Sequence, residues 1–196
     1  HEFKTPLASI LIASNYANSQ NEIKEHPKLS KYMQIIINQS NKLNQHIEQI
    51  LYFAKTDHNQ VMIDKIKLDL KAVLDLVKEN ILLKYQKDIA IEMNFDRNYT
   101  VKADEFHFYN MLYNIVDNAV KYSENNTIIS ISAEETKKSL QLNLSDNGVG
   151  IPANDLPFVF DKFYRVTRLD NKDIEGFGIG LSYVKRVCEW HKWKVS

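Results

Sequence analysis

NMLYNIVDNAVKYS, residues 110–123, decides how this chain is read. Met111, Leu112, Ile115, Val116, Ala119 and Val120 recur at steps of three and four, the mark of an amphipathic helix. Asn110, Asn114 and Asn118 stand four apart and so share one face, and Lys121 and Tyr122 follow within a turn. The face is a ladder of amides ending in an ammonium and a phenol. Asn is a poor helix former that favours caps, so three in register call for a reason. Taken alone, a solvated face explains them as well as a ligand site does.

The glycines change that balance. The chain has five, all between Gly148 and Gly180, in the clusters Asp146-Asn147-Gly148-Val149-Gly150 and Gly176-Phe177-Gly178-Ile179-Gly180-Leu181. Glycine permits positive φ and close backbone approach, so such clusters serve tight turns, hinges and phosphate cradles. Two of them after an asparagine ladder, separated by a long loop, point to a nucleotide pocket. The order Asn-x-x-x-Asn-Ala-x-Lys-Tyr-Ser, Asp-x-Gly-x-Gly, Phe-Asp-Lys-Phe-Tyr-Arg, Gly-x-Gly-x-Gly-Leu resembles the asparagine, first glycine, phenylalanine and second glycine boxes of sensor histidine kinases. The opening His1-Glu2-Phe3-Lys4-Thr5-Pro6 looks like that family's phospho-acceptor box, so the resemblance covers essentially the whole chain.

The resemblance implies an α+β protein. An antiparallel helical hairpin over residues 1–58, dimerising into a four-helix bundle, would precede an ATP-binding α/β sandwich of the Bergerat type over 59–196, with an incomplete mixed sheet. The implied activity is ATP-dependent autophosphorylation of His1 through Nε2, Glu2 assisting at Nδ1, followed by transfer to an aspartate on a response-regulator receiver domain. Thr5 shares the His1 face and is expected to orient a water toward a phosphorylated regulator. In the pocket the family's pattern assigns Mg²⁺ to Asn114, phosphate oxygens to Asn118 and Lys121, and the adenine or ribose to Tyr122. Asp146 would accept the exocyclic amine of adenine, with Gly148 and Gly150 passing close to the base. Lys162 and Arg165 are candidates for the γ-phosphate. Gly176, Gly178, Gly180 and Leu181 lead into a last helix whose N-terminus can receive phosphate. By the same resemblance this is the cytoplasmic portion of a protein anchored in the bacterial inner membrane.

Residue chemistry bears on the rivals. Imidazole titrates near neutrality and can attack through one nitrogen while the other holds a proton, which a neighbouring carboxylate can accept. A zinc-protease reading of His1-Glu2 needs a second histidine at position 5, where Thr5 stands. Related ATPases carry a glutamate where Asn114 lies, and an amide cannot deprotonate water. Asn114 and the histidine-bearing hairpin thus count against a Bergerat ATPase or serine kinase. A non-catalytic dimeric scaffold that binds nucleotide is the other alternative.

Composition and order complete the expectation. The 196 residues are 44% hydrophobic and carry a formal net charge of zero, which gives no electrostatic footprint for nucleic acid. The single cysteine, Cys188, excludes an internal disulfide framework. The apolar run Leu7–Ala13 is too short to cross a bilayer, so no membrane contact is expected of these residues. Residues 1–20 read as a helix with Phe3, Leu7, Ile10, Ser14 and Ala17 on its seam. A second helix after Pro27 carries Leu29, Met33, Ile36, Ser40, Leu43, Ile47, Ile50 and Ala54. At 1.5 Å per residue the second is roughly 42 Å long and the first about 30 Å, so about eight helical residues are expected before His1. Leu68–Leu70 reads as a strand, Lys71–Gln86 as a helix, and Ile89–Phe95 and Tyr99–Ala103 as strands with Asp96-Arg97-Asn98 turning between them. Asp104 can cap the ladder helix. Thr127–Ser132 and Leu140–Leu144 alternate as an antiparallel pair, residues 151–175 form a long lid-like loop, and Ile179–Trp190 is the final helix. Phe160, Phe163 and Tyr164 are expected to pack the lid, and Phe106, Phe108 and Tyr109 the core. The histidines other than His1 read as surface or cap residues. Trp193–Ser196 begins a strand that a further hairpin would complete, which makes this end an expected weak point.

Overall fold

The computed structural model describes residues 4–20, 26–37, 40, 43, 63–124, 126–137, 139–166 and 178–196. The chain divides into two units, residues 1–61 and 62–196. In the first, α1 (Lys4–Ser19) closes its last turn with side chains: Ser19 Oγ donates to the Tyr16 carbonyl at 2.6 Å and Gln20 Nε2 to the same oxygen at 3.3 Å. Such bonds satisfy carbonyls that a helix end leaves unpaired. A second helix, α2, runs over residues 27–37 and is helical again at 40 and 43. Its first turn closes through Ser30 N–H to the His26 carbonyl at 3.0 Å, with Pro27 at the start, where its missing N–H costs nothing.

The buried stripe differs from the expected seam. Leu7 and Ser14 are buried, but Ile10 is 49% exposed and Leu11 lies further in than it does. On α2 the buried positions are Ile37 and Ser40, with Ser30 and Met33 partly covered, while Leu29, Ile36 and Leu43 are exposed. The expected stripe is thus two stripes, one covered within the unit and one open. No helix among the described residues is long and apolar enough to cross a membrane.

The second unit is a two-layer arrangement of helix on sheet. Its elements are β1 (Ile66–Asp69), α3 (Leu70–Lys84), β2 (Asp88–Asn94), β3 (Thr100–Ala103), α4 (Glu105–Lys121), β4 (Asn126–Glu135), β5 (Leu140–Asp146), a 3₁₀ turn at Leu156–Phe158 and α5 (Gly180–His191). Strand β2 pairs parallel with β4, Asp88 opposite Asn126 and Asn94 opposite Ser132. Strand β5 pairs antiparallel with β4, Leu144 opposite Ile131, as the alternation predicts. Strands β1 and β3 form a separate antiparallel pair, Leu68 opposite Val101.

The two strands flanking Asp96-Arg97-Asn98 therefore do not form a hairpin with each other. The turn is held by Tyr99 O–H to Asp96 and by the Arg97–Glu135 ion pair to the end of β4. Beyond it, Leu70 N–H donates to the Tyr99 carbonyl at 2.9 Å, which commits β3 to β1. Along β4, Thr127, Ile129, Ile131 and Ala133 are buried while Ile128 stays 40% exposed, the period of two of a half-buried strand. Helix α4 backs onto β4 and lies against both α3 and α5. Its Phe108, Met111, Leu112, Val116, Ala119 and Val120 meet a core that includes Leu74, Val77 and Ile81 of α3 and Val184 and Val187 of α5. Each such side chain contributes about 1.5–3 kcal/mol by burial, so the apolar face of α4 is what fixes the orientation of its polar one.

Candidate nucleotide pocket

Asp104 starts α4 as its N-cap, the carboxylate accepting His107 N–H at 3.0 Å. Along the ladder, Asn110 Nδ2 donates to the Phe106 carbonyl and Asn114 Nδ2 to the Asn110 carbonyl, both at 2.7 Å. These back-bonds accommodate Asn inside a helix and leave Oδ1 of Asn114 as its outward acceptor. That oxygen faces the start of α5: a Cβ built on Gly180 would lie 3.0 Å from Asn114 Oδ1 and 3.5 Å from Asn118 Nδ2. Gly180, in the second glycine cluster, thus sits directly on the middle and lower rungs. Leu181 follows in the first turn of α5.

At the foot of α4 the first glycine cluster closes a corner. Tyr122 is the C-cap, its N–H donating to Asn118 O at 3.0 Å, and its carbonyl accepts Val149 N–H at 3.0 Å. Gly148 N–H donates to Asp146 Oδ1 at 2.8 Å. A Cβ on Gly148 would stand 2.6 Å from that oxygen and 2.8 Å from the Tyr122 carbonyl, so only glycine permits this approach. Asn147, which the sequence reading passed over, pins the corner to β4: its Oδ1 accepts Ile128 N–H at 2.9 Å and its Nδ2 donates to the Asn126 carbonyl at 2.8 Å.

Lys121 is paired. Its Nζ lies 2.6 Å from Asp117 Oδ2, while Lys84 Nζ and Tyr85 O–H reach Asp117 Oδ1 at 2.7 Å each. Burial pushes the Asp117 carboxyl up, but the contacts with Lys121, Lys84 and Tyr85 outweigh it and hold the group below the ordinary carboxylate range. The same burial, with the carboxylate beside it, raises the Tyr85 phenol, and burial pushes Tyr113 up to about 12. Sequence reasoning missed Asp117. Its signal was an acid four residues before Lys121 on a helix.

The loop meets the lead-in to α5 backbone to backbone. Phe163, at φ +66°, donates its N–H to the Gly178 carbonyl at 3.0 Å, and Gly178 itself sits at φ +69°. Tyr164 stacks near Phe158, ring centroids 5.6 Å apart, and its hydroxyl bonds Asp155. Phe163 is nonetheless 63% exposed, so of the expected lid aromatics Tyr164 packs and Phe163 does not. Lys162 and Arg165 are exposed on this loop. Gly150 is in the left-handed region at φ +65°. Gly176, His1 and Glu2 lie outside the described residues. Thr5 falls within α1, but its side chain is not among those described.

A seam joins α4 to α5. His107 Nδ1 and Tyr183 O–H lie 3.0 Å apart, and Cys188 Sγ is 3.8 Å from Met111 Sδ. Asp104 N–H donates to His191 Nε2 at 3.0 Å, so Nδ1 carries the proton given to the Val187 carbonyl at 2.8 Å. Burial lowers the proton affinity of both His107 and His191. These two histidines are core groups, not the surface or cap residues expected, and Phe106 is 67% exposed rather than in the core. Trp193 stacks on His191 at 4.3 Å and meets Phe108 edge-on, outside any strand.

The family described as histidine kinase-, DNA gyrase B- and HSP90-like ATPase matches residues 103–196. The His Kinase A (phospho-acceptor) domain matches residues 1–59. Sensor protein RprX of Bacteroides fragilis is 32% identical over 98% of the chain, and sensor histidine kinase YkoH of Bacillus subtilis 31% identical over 100% of it. The chain spans 38% and 42% of the lengths of those two proteins. The solved structure of full-length ShkA in complex with AMPPNP shares the fold, with a TM-score of 0.77 and 22% identity over 97% of this chain and 39% of that one. A phospho-acceptor region followed by an ATPase-type domain, aligned with sensor kinases over almost its whole length, makes this chain a member of the two-component sensor histidine kinase family.

Proposed function

We propose that this chain binds Mg-ATP between α4 and α5, transfers the γ-phosphoryl group to Nε2 of His1, and then passes it to an aspartate of a response-regulator receiver domain. The observation that carries the reading is the seating of Gly180 on Asn114 and Asn118. It leaves an amide oxygen and a helix N-terminus converging where a triphosphate would lie, and helix N-termini receive phosphate through unpaired N–H groups.

Asn114 fits Mg²⁺, which takes oxygen ligands: its Nδ2 is committed to the Asn110 carbonyl, so Oδ1 is the atom offered. Bound there, the ion would neutralise charge on the triphosphate. Asn118 and Lys121 would contact phosphate oxygens, with Lys162 and Arg165 toward the γ end and Gly176, Gly178, Gly180 and Leu181 leading into the helix N-terminus that receives phosphate. Tyr122, Asp146, Gly148 and Gly150 would frame adenine, Asp146 accepting its exocyclic amine. In the transfer the Nε2 lone pair forms the N–P bond as the bond from phosphorus to the β,γ-bridging oxygen breaks. ADP departs with that electron pair, and Glu2 takes the Nδ1 proton. Positioning and charge stabilisation account for most of such a step. Lacking a carboxylate at position 114, the pocket favours transfer to protein over hydrolysis.

The open stripe of Leu29, Ile36 and Leu43 supports homodimerisation through the hairpin, since an exposed apolar stripe gains by burial against a second copy. Thr5 would orient water in regulator dephosphorylation, and the longer protein would be membrane-anchored with these residues in the cytoplasm. The test is labelling of the full-length protein from γ-labelled Mg-ATP. An acid-labile, alkali-stable adduct is expected, lost in His1→Gln while nucleotide affinity is kept. An acid-stable adduct, or label persisting in His1→Gln, would overturn the assignment.

A further inference from the structure

We infer that Lys87 is a positioning residue for the base-reading corner of the pocket: its ammonium holds the last turn of α4 and so sets where the Tyr122 carbonyl meets the glycine turn. This rests on the reading above that Asp146 and its neighbours receive adenine. Lys87 Nζ lies 2.6 Å from the Val120 carbonyl, 3.1 Å from that of Ser123 and 3.3 Å from that of Glu124. An ammonium has three N–H donors and here each finds a carbonyl. The Val120 oxygen is one of the carbonyls a helix C-terminus leaves unpaired, and those of Ser123 and Glu124 follow just past the C-cap, at the negative end of α4 where a cation is favoured.

The three carbonyls bracket Lys121 and Tyr122. They leave the Tyr122 carbonyl itself for Val149 N–H at 3.0 Å. Clearance at that junction is minimal, because a Cβ on Gly148 would fall 2.8 Å from the Tyr122 oxygen and 2.6 Å from Asp146 Oδ1. A rotation of the last turn of α4 therefore moves Asp146 and Gly148 together or breaks the corner. Lys87 is itself anchored, since the next residue, Asp88, opens β2 opposite Asn126. Just before it, Lys84 and Tyr85 bind Asp117 one turn earlier on α4. The stretch 84–87 thus grips the end of α4 over two turns, from a segment that lies outside both family matches.

A plain capping role and a positioning role differ in which ligands suffer. The test measures ADP, GDP and tripolyphosphate binding to the full-length protein as wild type, Lys87→Met and Lys87→Arg. Wild type is expected to prefer ADP over GDP. Lys87→Met should lose roughly tenfold in ADP affinity and most of the ADP-over-GDP preference, with tripolyphosphate unchanged, roughly as the loss of a hydrogen bond to a charged group would give. Lys87→Arg should restore most of the preference. If Lys87→Met does not fold, Lys87→Gln, which keeps two donors, should show a partial loss of preference. A parallel weakening of all three ligands, or an undiminished preference in Lys87→Met or Lys87→Gln, overturns the positioning role alone. A wild-type protein that does not distinguish ADP from GDP overturns the adenine reading of the corner and this inference with it.

Discussion

Replacing Gly178 by Ala tests how closely the lead-in to α5 docks on the loop. At φ +69° an L-residue costs about 1–2 kcal/mol. The new Cβ would stand 2.4 Å from the Tyr164 carbonyl oxygen, 2.7 Å from the Phe163 carbonyl carbon and 2.9 Å from its oxygen. All three are backbone atoms, so no side-chain rotation gives relief, and overpacking of this kind adds about 1–3 kcal/mol. The contact opposing this strain is the Phe163 N–H to Gly178 carbonyl bond, whose net contribution is about 1 kcal/mol. Undocking is then the easiest relief, and the docked state becomes the minor one. If nucleotide binds the docked state, its apparent Kd rises by the inverse of the docked fraction, roughly tenfold or more. Gly150→Ala is the comparison for the conformational cost alone within the protein: φ is +65° but its Cβ would meet no protein atom within 4 Å, so that cost is about 1–2 kcal/mol, to which the proposed contact with the base would add in binding. Titration of a fluorescent ATP analogue with Mg²⁺ against both variants measures the difference. Melting should move less than binding, because the buried face of α4 is untouched. A Gly178→Ala protein that binds within twofold of wild type would refute the argument.

Two further outcomes follow from the packing. His107 and His191 bind protons less readily folded than at the ordinary value of 6.5, so stability should be full above that pH and decline as pH falls below it, while the unfolded chain gains protons first. Lys65 opposes a charge on His191 and Asp104 favours one on either ring. Thermal melts from pH 7.5 to 5.0 should show the decline, and His191→Gln should flatten it; an equal decline in that variant would contradict the assignment. Thr127 is fully buried and its Oγ1 has no partner among the described residues, so Thr127→Val should stabilise the unit by about 1 kcal/mol. A lowered melting temperature in that variant would mean the hydroxyl is satisfied after all.

Periodic features were legible and long-range ones were not. The ladder helix, its Asp104 cap and the β4–β5 pair follow from spacing within one element, which burial in the fold preserves. Within the glycine clusters, Gly148 and Gly178 were legible because close backbone approach excludes a side chain there. The partners of the strands on either side of Asp96-Arg97-Asn98 were not legible, because the turn serves equally well whether its strands pair or part, and the choice is made by β1 and β4. Ile10 and Leu11 adjoin in an apolar run, so a heptad count could not choose between them. Phe106 and His107 exchanged roles for a similar reason: hydrophobicity favours the phenyl ring inside, but the partner available inside is the Tyr183 hydroxyl. Lys87 and Asn147 acquire their roles from groups 19 to 37 residues away, beyond the reach of any local pattern, and of the partners of Asp117 only Lys121, four residues on, lay within one.

Cys188 packs against Met111 in the seam between α4 and α5, and it is the chain's single cysteine. Burial pushes its thiol up, so little thiolate exists near neutrality while the helices stay together. Attack by a soluble disulfide reagent then requires the two helices to part. Its rate under native conditions is an intrinsic chronometer for that separation, read at one atom with no label introduced. Because the same two helices present Asn114 and Gly180 to each other, nucleotide should slow that clock. The degree of slowing would convert occupancy of the cleft into a free energy of opening.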